Sequence, residues 1–61
     1  MAFYRAYVIG RDGHIIKRHE FAASLDDAAL KHAHQYVDGS DVEVWQDSRK
    51  VGLLKHTDDA A

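Results

Sequence analysis

The sequence predicts an α+β fold, in which a four-stranded, mainly antiparallel sheet carries one helix on one face. A hairpin signal at Asp12-Gly13 precedes a helical pattern, and a second signal at Asp47-Ser48 follows it. Each signal separates two short runs of apolar, aromatic and β-branched residues, as is typical of β-hairpins. The predicted order along the chain is therefore strand-strand-helix-strand-strand, or ββαββ.

The first hairpin leaves two turn types open. A two-residue type I′ turn pairs Arg5 with Glu20 and Tyr7 with Arg18, whereas a type I turn with its Gly in a bulge shifts this pairing by one residue. We favour the first pairing, because opposite charges and cation-aromatic contacts stabilise neighbouring strands. A slip of one residue would move the whole second strand to the other face.

The helix is predicted between Ser24 and Gly39. Ser24 is a candidate N-cap, Asp27 stands at the reciprocal position of a capping box, and Gly39 is a typical stop signal. An apolar arc at helical spacing faces the sheet, with small residues at its centre that allow close packing. The arc consists of Leu25, Ala29, Leu30, Ala33, Tyr36 and Val37.

The second hairpin completes the predicted core. A tight turn at Asp47-Ser48 would pair Val44 with Val51 and Val42 with Leu53, and put all four under the helix. The first strand is expected to be interior, which gives the strand order 2-1-3-4. The predicted core consists of Tyr4, Ala6, Val8, Ile15, Phe21, Ala29, Leu30, Ala33, Val37, Val42, Val44, Val51 and Leu53.

The chain has 61 residues, which is enough for one small domain. A domain of this size buries only about 60% of the surface that its unfolded chain exposes, so it depends on one small core or on self-association. The absence of Cys excludes disulfides and thiolate zinc sites. We expect a single ββαββ domain over residues 1–55 and a disordered C-terminal tail over residues 56–61.

The composition also limits the location and the partners. The formal net charge of −2 argues against a general DNA-binding surface and against a polybasic membrane contact. No apolar stretch approaches the ~20 residues that span a bilayer. The segment from Met1 to Arg5 lacks the pattern of a signal peptide. We therefore expect a cytoplasmic protein that does not contact a membrane.

One helix covers only one face of the predicted sheet, so the other face is left for solvent or for a partner. The predicted outer face mixes aromatic, aliphatic and charged side chains, and Trp, Tyr and Arg often dominate interfaces. The alternative is that its apolar residues are scattered and half-exposed in the ordinary way. The candidate interface consists of Arg5, Tyr7, Ile9, Ile16, Arg18, Trp45, Lys50 and Leu54.

The leading hypothesis from this face is a small, non-catalytic interaction or regulatory module. Pairing of two copies about a two-fold axis is the simplest use of such a face, so a homodimer is the first partner to consider, and another protein the second. The alternative is single-stranded nucleic acid, whose bases could stack on Tyr7 and Trp45 beside Arg18. Glu20 and Glu43 share the face, and the net charge is negative, so the sequence argues against nucleic acid.

The residues with catalytic or ligand chemistry form no recognisable site. His32 and His34 point in different directions from a helix, and His14 and His19 lie on opposite faces of a strand, so neither pair shares a metal ion. Each Ser lies at a predicted cap or turn, with no spacing that suggests a His base. We therefore expect no catalytic residue, no metal, no cofactor and no enzymatic activity.

Four segments of the sequence, 4–10, 12–15, 37–39 and 42–46, carry a resemblance to known proteins. They resemble a family of short uncharacterised proteins from rhizobia-like alphaproteobacteria. This resemblance implies a stand-alone ββαββ fold and no assigned activity. A fainter resemblance, carried by the first hairpin and by Leu25 to Ala29, is to HicB-like antitoxins and implies an antitoxin role. The chain departs from that second pattern because it has no Pro before its helix.

Overall fold

The computed structural model describes residues 1–37 and 39–56. The strands form one antiparallel sheet in the order 2-1-3-4, numbered along the chain, with the helix packed on one face. This confirms the predicted α+β class, the ββαββ plan and the strand order. The elements are β1 Ala2–Ile9, β2 Ile15–Ala23, α1 Asp26–Ala33, a 3₁₀ turn His34–Tyr36, β3 Asp41–Gln46 and β4 Arg49–Leu54.

The turn of the first hairpin is the type I turn with a Gly bulge. The amide of Gly13 donates to the carbonyl of Gly10 at 3.0 Å, and the amide of Gly10 donates to the carbonyl of His14 at 2.7 Å. Gly13 has φ +88°, whereas Asp12 has no positive φ, so a type I′ turn at this pair is excluded. The residue that needs the left-handed conformation is therefore Gly13 alone.

The pairing predicted for the other turn is nevertheless present along most of this hairpin. Arg5 pairs with Glu20 and Tyr7 pairs with Arg18, which confirms the favoured register. The two results are compatible because the register shifts once more next to Val8. A second β-bulge thus compensates for the one-residue shift that the turn introduces.

The second hairpin turns where the sequence predicts, but it also contains a bulge. Asp47 adopts φ +53° in the turn, and the register then shifts between Val44 and Trp45. The predicted partners of Val42 and Val44 are therefore wrong by one residue, because Val44 pairs with Gly52 and Val42 pairs with Leu54.

This shift exchanges two leucines between the faces of the sheet. Leu54 packs against the core, although it is predicted on the outer face. Leu53 pairs with Glu43 on the outer face and is 41% exposed, so its predicted place in the core is wrong. Ile15 is also wrongly predicted in the core, since it pairs with Ile9 on the outer face and is 56% exposed.

The core lies between α1 and the sheet and is built from small side chains. The other predicted core residues are either buried or packed against the buried set. Half of the buried apolar residues in the described chain are Ala, which lets the helix lie close to the strands. The buried residues are Tyr4, Ala6, Val8, Ala23, Ala29, Ala33, Val42 and Val44.

The helix begins later and ends earlier than predicted. Its N-cap is Leu25, which has extended backbone angles, is 67% exposed and makes no side-chain capping bond. The predicted cap at Ser24 is therefore wrong. The helical backbone ends with the 3₁₀ turn at Tyr36, so Gly39 is not the C′ residue, although it has φ +78° in the loop before β3.

A polar cluster around Asp26 fastens the first turn of α1 to the sheet. Its carboxylate accepts a hydrogen bond from the Tyr4 hydroxyl at 2.9 Å and two from the Arg49 guanidinium at 3.0 and 3.1 Å. Arg49 also donates to the side chain of Gln46. The bonds from Arg49 and then Tyr4 hold the pKa of Asp26 below its usual value. Desolvation by burial, followed by the bond to Asp26, raises the pKa of Tyr4.

Aromatic and imidazole rings fill the space between α1 and the edge strand β2. The rings of His19 and Tyr36 stack with centroids 3.8 Å apart, and those of Phe21 and His32 stack at 4.3 Å. The His32 ring also lies within hydrogen-bond distance of the Tyr36 hydroxyl, at 3.2 Å. These contacts give both His residues a packing role on the helix side of the sheet.

His56 is held at the end of the described chain. Its amide and its Nδ1 atom both lie within hydrogen-bond distance of Asp41 Oδ1, at 3.0 and 2.7 Å. The remainder of the predicted tail, residues 57–61, lies outside the described residues.

Candidate protein-docking face

The face of the sheet turned away from α1 is here called the open face. Alternate strand residues point to opposite faces, and the buried Ala6, Val42 and Val44 point to the helix. The residues between them, and their partners on neighbouring strands, therefore belong to the open face. It consists of Phe3, Arg5, Tyr7, Ile9, Ile15, Arg18, Glu20, Ala22, Asp41, Glu43, Trp45, Lys50 and Leu53.

Two rows of side chains cross the middle of the open face from β2 to β4. The first row runs through cross-strand neighbours in the order Glu20, Arg5, Trp45, Lys50. The second row, one pleat along, runs in the order Arg18, Tyr7, Glu43, Leu53. On β2 the two rows carry opposite charges, and on β1 a cation lies next to an aromatic ring.

Apolar residues occupy both ends of the open face beyond these rows. At one end Phe3, which is 79% exposed, pairs with Ala22. At the other end Ile9 pairs with the exposed Ile15. The apolar side chains thus bracket a central strip of mixed charge and aromatic rings.

Most charges of the two rows are compensated within the face. Arg5 Nε donates to Glu20 at 3.2 Å, and Lys50 Nζ lies 3.6 Å from Glu43. The indole N–H of Trp45 donates to Glu43 at 3.1 Å, and this bond runs along β3, because the two residues are neighbours on one face of the same strand. Exposed ion pairs of this kind contribute at most about 1 kcal/mol each, so they set the electrostatic pattern more than the stability.

A shallow depression of about 410 Å³ marks the end of the sheet that carries Phe3. It lies where β1 and β2 extend past the turn between β3 and β4, so side chains from both faces contribute to its wall. The lining residues are Phe3, Tyr4, Arg5, Glu20, Phe21, Ala22 and Asp47. A bulky apolar side chain of a partner would fit such a space.

The structure brings together six of the eight candidate interface residues on the open face: Arg5, Tyr7, Ile9, Arg18, Trp45 and Lys50. Leu54 is excluded from this face, and Leu53 occupies it instead. Ile16 is 63% exposed, but the bulge gives Ile15 as the partner of Ile9. The Cγ2 atom of Ile16 lies 3.0 Å from the point where a Cβ on Gly10 would stand.

Phe3 is an open-face residue that the sequence-based prediction misses although its signal is present. Phe3 has the same strand parity as Arg5 and Tyr7, so simple alternation places it beside them. Leu53 and Ile15 carry no such signal, because their placement depends on two bulges that composition does not predict.

Metal sites and acid-base pairs are two further kinds of site that the side chains of the described residues could form. In the ranges 1–37 and 39–56, no group of three or more His, Asp or Glu side chains is arranged to hold a metal ion. Two acid-imidazole pairs occur, one at 2.8 Å between Asp12 and His14 at the first hairpin turn, and one at 2.7 Å between Asp41 at the start of β3 and His56 after β4. Hydrogen bonds from the neighbouring His lower the pKa of each Asp, so both carboxylates are engaged locally.

Comparisons with known proteins give no relative for this chain. No family model matches it, and no curated protein or solved structure matches it. Among the described residues, no helix is long and apolar enough to cross a membrane.

Proposed function

We propose that this protein is a small, non-catalytic interaction module that binds a protein partner through its open face. One observation carries the proposal: the uncovered side of the sheet gathers three large exposed apolar side chains and two aromatic rings on one face. Phe3, Ile15 and Leu53 are 79%, 56% and 41% exposed, with Tyr7 and Trp45 half-buried between them. Large exposed apolar side chains that are gathered on one face, and are not scattered singly over the surface, are typical of interaction sites.

The charge pattern supports a protein partner over a nucleic acid. Glu20 and Glu43 stand beside Arg5 and Lys50, so two of the cations are already paired with carboxylates. A phosphate backbone would have to displace these carboxylates or bind next to them, whereas nucleic-acid sites concentrate unopposed cations. A mixed-charge face is instead well suited to a protein surface with its own mixed charges.

Site-specific photo-cross-linking tests this proposal, because it captures whichever partner lies against the face. A photoreactive phenylalanine analogue is introduced at Lys50, on the open face, and at the exposed Gln35, on the helical side, in the cells that produce the protein. We expect a discrete protein adduct from position 50 and none from position 35. The mass of the adduct distinguishes a second copy of the chain from another protein.

The same experiment has an internal control. Trp45→Glu places a charge in the middle of the open face, so it should abolish the adduct from position 50 while circular dichroism shows an unchanged fold. Equal adducts from both positions, or none from the open face, would contradict the proposed function.

Single-stranded nucleic acid is the second candidate partner, and Tyr7 and Trp45, on one open sheet face with Arg18, are the observation that favours it. Base stacking on these rings would change the fluorescence of Trp45, the one Trp of the chain. A titration with mixed oligonucleotides at low salt measures this directly. A saturable change that weakens with salt would favour this candidate over the protein partner.

A further inference from the structure

We infer that the occupant of the open face is a second copy of this chain, related by a two-fold axis that runs across the strands between the two central rows. This inference rests on the proposed function and names its partner. It follows from the order of charges and apolar groups along each strand.

An axis in this direction places every strand opposite the same strand of the second copy. It also places the first row of one copy opposite the second row of the other. On β2, Glu20 then faces Arg18 of the second copy, and by symmetry Arg18 faces Glu20 of the second copy. On β1, Arg5 faces Tyr7 of the second copy, which is the arrangement of a cation-aromatic contact. The two-fold axis repeats each contact, as in any isologous interface.

The same axis exchanges the two apolar ends of the open face. Phe3 faces Ile9 of the second copy, and Ala22 faces Ile15 of the second copy. The exposed apolar groups at the ends are thereby covered by one another, and the mixed charges meet in the middle. On β1 and β2, each end of the face is thus complementary to the other.

A two-fold axis along the strands fits less well. It would place β2 on β4 of the second copy, so that Glu20 faces Lys50, but Ile9 would face Asp41 of the second copy. That carboxylate is charged and already engaged with His56. Covering it with an aliphatic side chain removes water from a charge without a compensating contact. The axis across the strands also places an aliphatic side chain on a charge, since Lys50 then faces Leu53 of the second copy. It alone covers Phe3 and Ile15 with apolar side chains, so it is the favoured arrangement.

The size of the face indicates a reversible dimer. Four strands of six to nine residues give a footprint of roughly 19 Å by 20–30 Å. This is at the small end of specific interfaces, so we expect association in the micromolar range or weaker.

Charge reversal on β2 tests the arrangement. Arg18→Glu and Glu20→Arg each place like charges opposite each other twice per dimer, so each should weaken self-association at least tenfold, as an order-of-magnitude expectation. An equimolar mixture of the two variants should recover association, because positions 18 and 20 of one variant would then face opposite charges on the other at both symmetric sites. Analytical ultracentrifugation over a concentration series measures all three samples. Lys31→Glu, on the exposed side of α1, is the matched control and should leave association unchanged.

The outcomes separate this inference from the proposed function. A wild-type chain that remains monomeric up to millimolar concentration overturns the second copy as partner, while an open-face adduct of another mass would still support the proposed function. A wild-type dimer whose two variants fail to associate when mixed overturns the axis across the strands. Recovery in the mixture, but in neither variant alone, supports it.

Discussion

At the scale of single residues, Asp26 links three elements of the fold through its side chain. It lies in the first turn of α1, yet its bonds extend to Tyr4 on β1 and to Arg49 at the start of β4. Its position in the first helical turn also places an acidic side chain at the favourable end of the helix dipole. The helix starts without a side-chain cap because its N-cap, Leu25, has no polar side chain, and Asp26, its first residue, is bonded to the sheet.

Asp26→Asn should make the fold less sensitive to acid. The pKa of Asp26 is lower in the folded protein than its usual value of 3.8, so its stabilising effect is complete above that pH and is lost as the pH falls through the folded pKa. The variant should therefore melt below the wild type at pH 7 and lose less stability between pH 5 and 2. Thermal melts by circular dichroism across this range measure both effects.

Asp27→Asn is the matched control for this experiment, since Asp27 is the exposed neighbour in the same helical turn. An acid dependence for Asp26→Asn that parallels the wild type would contradict the role assigned to the ion pair. Arg49→Gln should lower the pH 7 melting temperature in the same direction, because it removes the other charge.

At the scale of elements, the packing of α1 on β4 depends on the absence of a side chain at Gly52. The bulge places Gly52 opposite Val44 on the helix side, and a Cβ at this position would lie 3.1 Å from a terminal methyl group of Leu30. The helix thus packs over a glycine on β4 and over mainly small residues on the other strands. Sequence alone gives no reason for this glycine, because the predicted register assigns Val44 to Val51.

Gly52→Val should lower the free energy of unfolding by about 1–3 kcal/mol, because the added methyl groups overlap the space of Leu30. Leu30→Ala in the same chain should remove the overlap, so the double variant should be more stable than the sum of the single effects predicts. Urea denaturation of the four chains gives this coupling. Strictly additive effects would show that Leu30 is not the obstacle.

At the scale of the whole molecule, the relation between a small core and a large uncovered face is the main feature. The side chains that α1 buries are mostly Ala and Val, whereas the open face leaves Phe3, Ile15 and Leu53 exposed. Burial of apolar surface stabilises by roughly 25 cal/mol per Å², so covering the open face adds to a core that is modest by itself.

Self-association through the open face should make thermal stability depend on protein concentration. For the wild type, the melting temperature should rise as the concentration is increased from micromolar to millimolar, because dimerisation stabilises the folded state by mass action. Trp45→Glu should remove this dependence, whereas Gln35→Glu on the helical side should retain it. Differential scanning calorimetry measures the melting temperatures, and a wild type with no concentration dependence would contradict the dimer.

Local signals in the sequence determined the fold class, the strand order and the favoured pairing of Arg5 with Glu20. Hairpin turns and helical spacing depend on a few neighbouring residues, so the local sequence pattern is enough to reveal them. Most of the candidate interface follows from the same alternation, since residues two apart on a strand share a face.

The tertiary structure alone decided the bulges, and with them which of two neighbouring leucines reaches the core. The sequence from Val51 to Leu54 fits either register by hydrophobicity. Only the packing of Leu30 over Gly52, with Leu54 beside the core, selects one. Such a selection depends on contacts between residues far apart in the chain, which no local pattern encodes. Because a one-residue shift exchanges the two faces of a strand, these contacts also decide which side chains the open face presents.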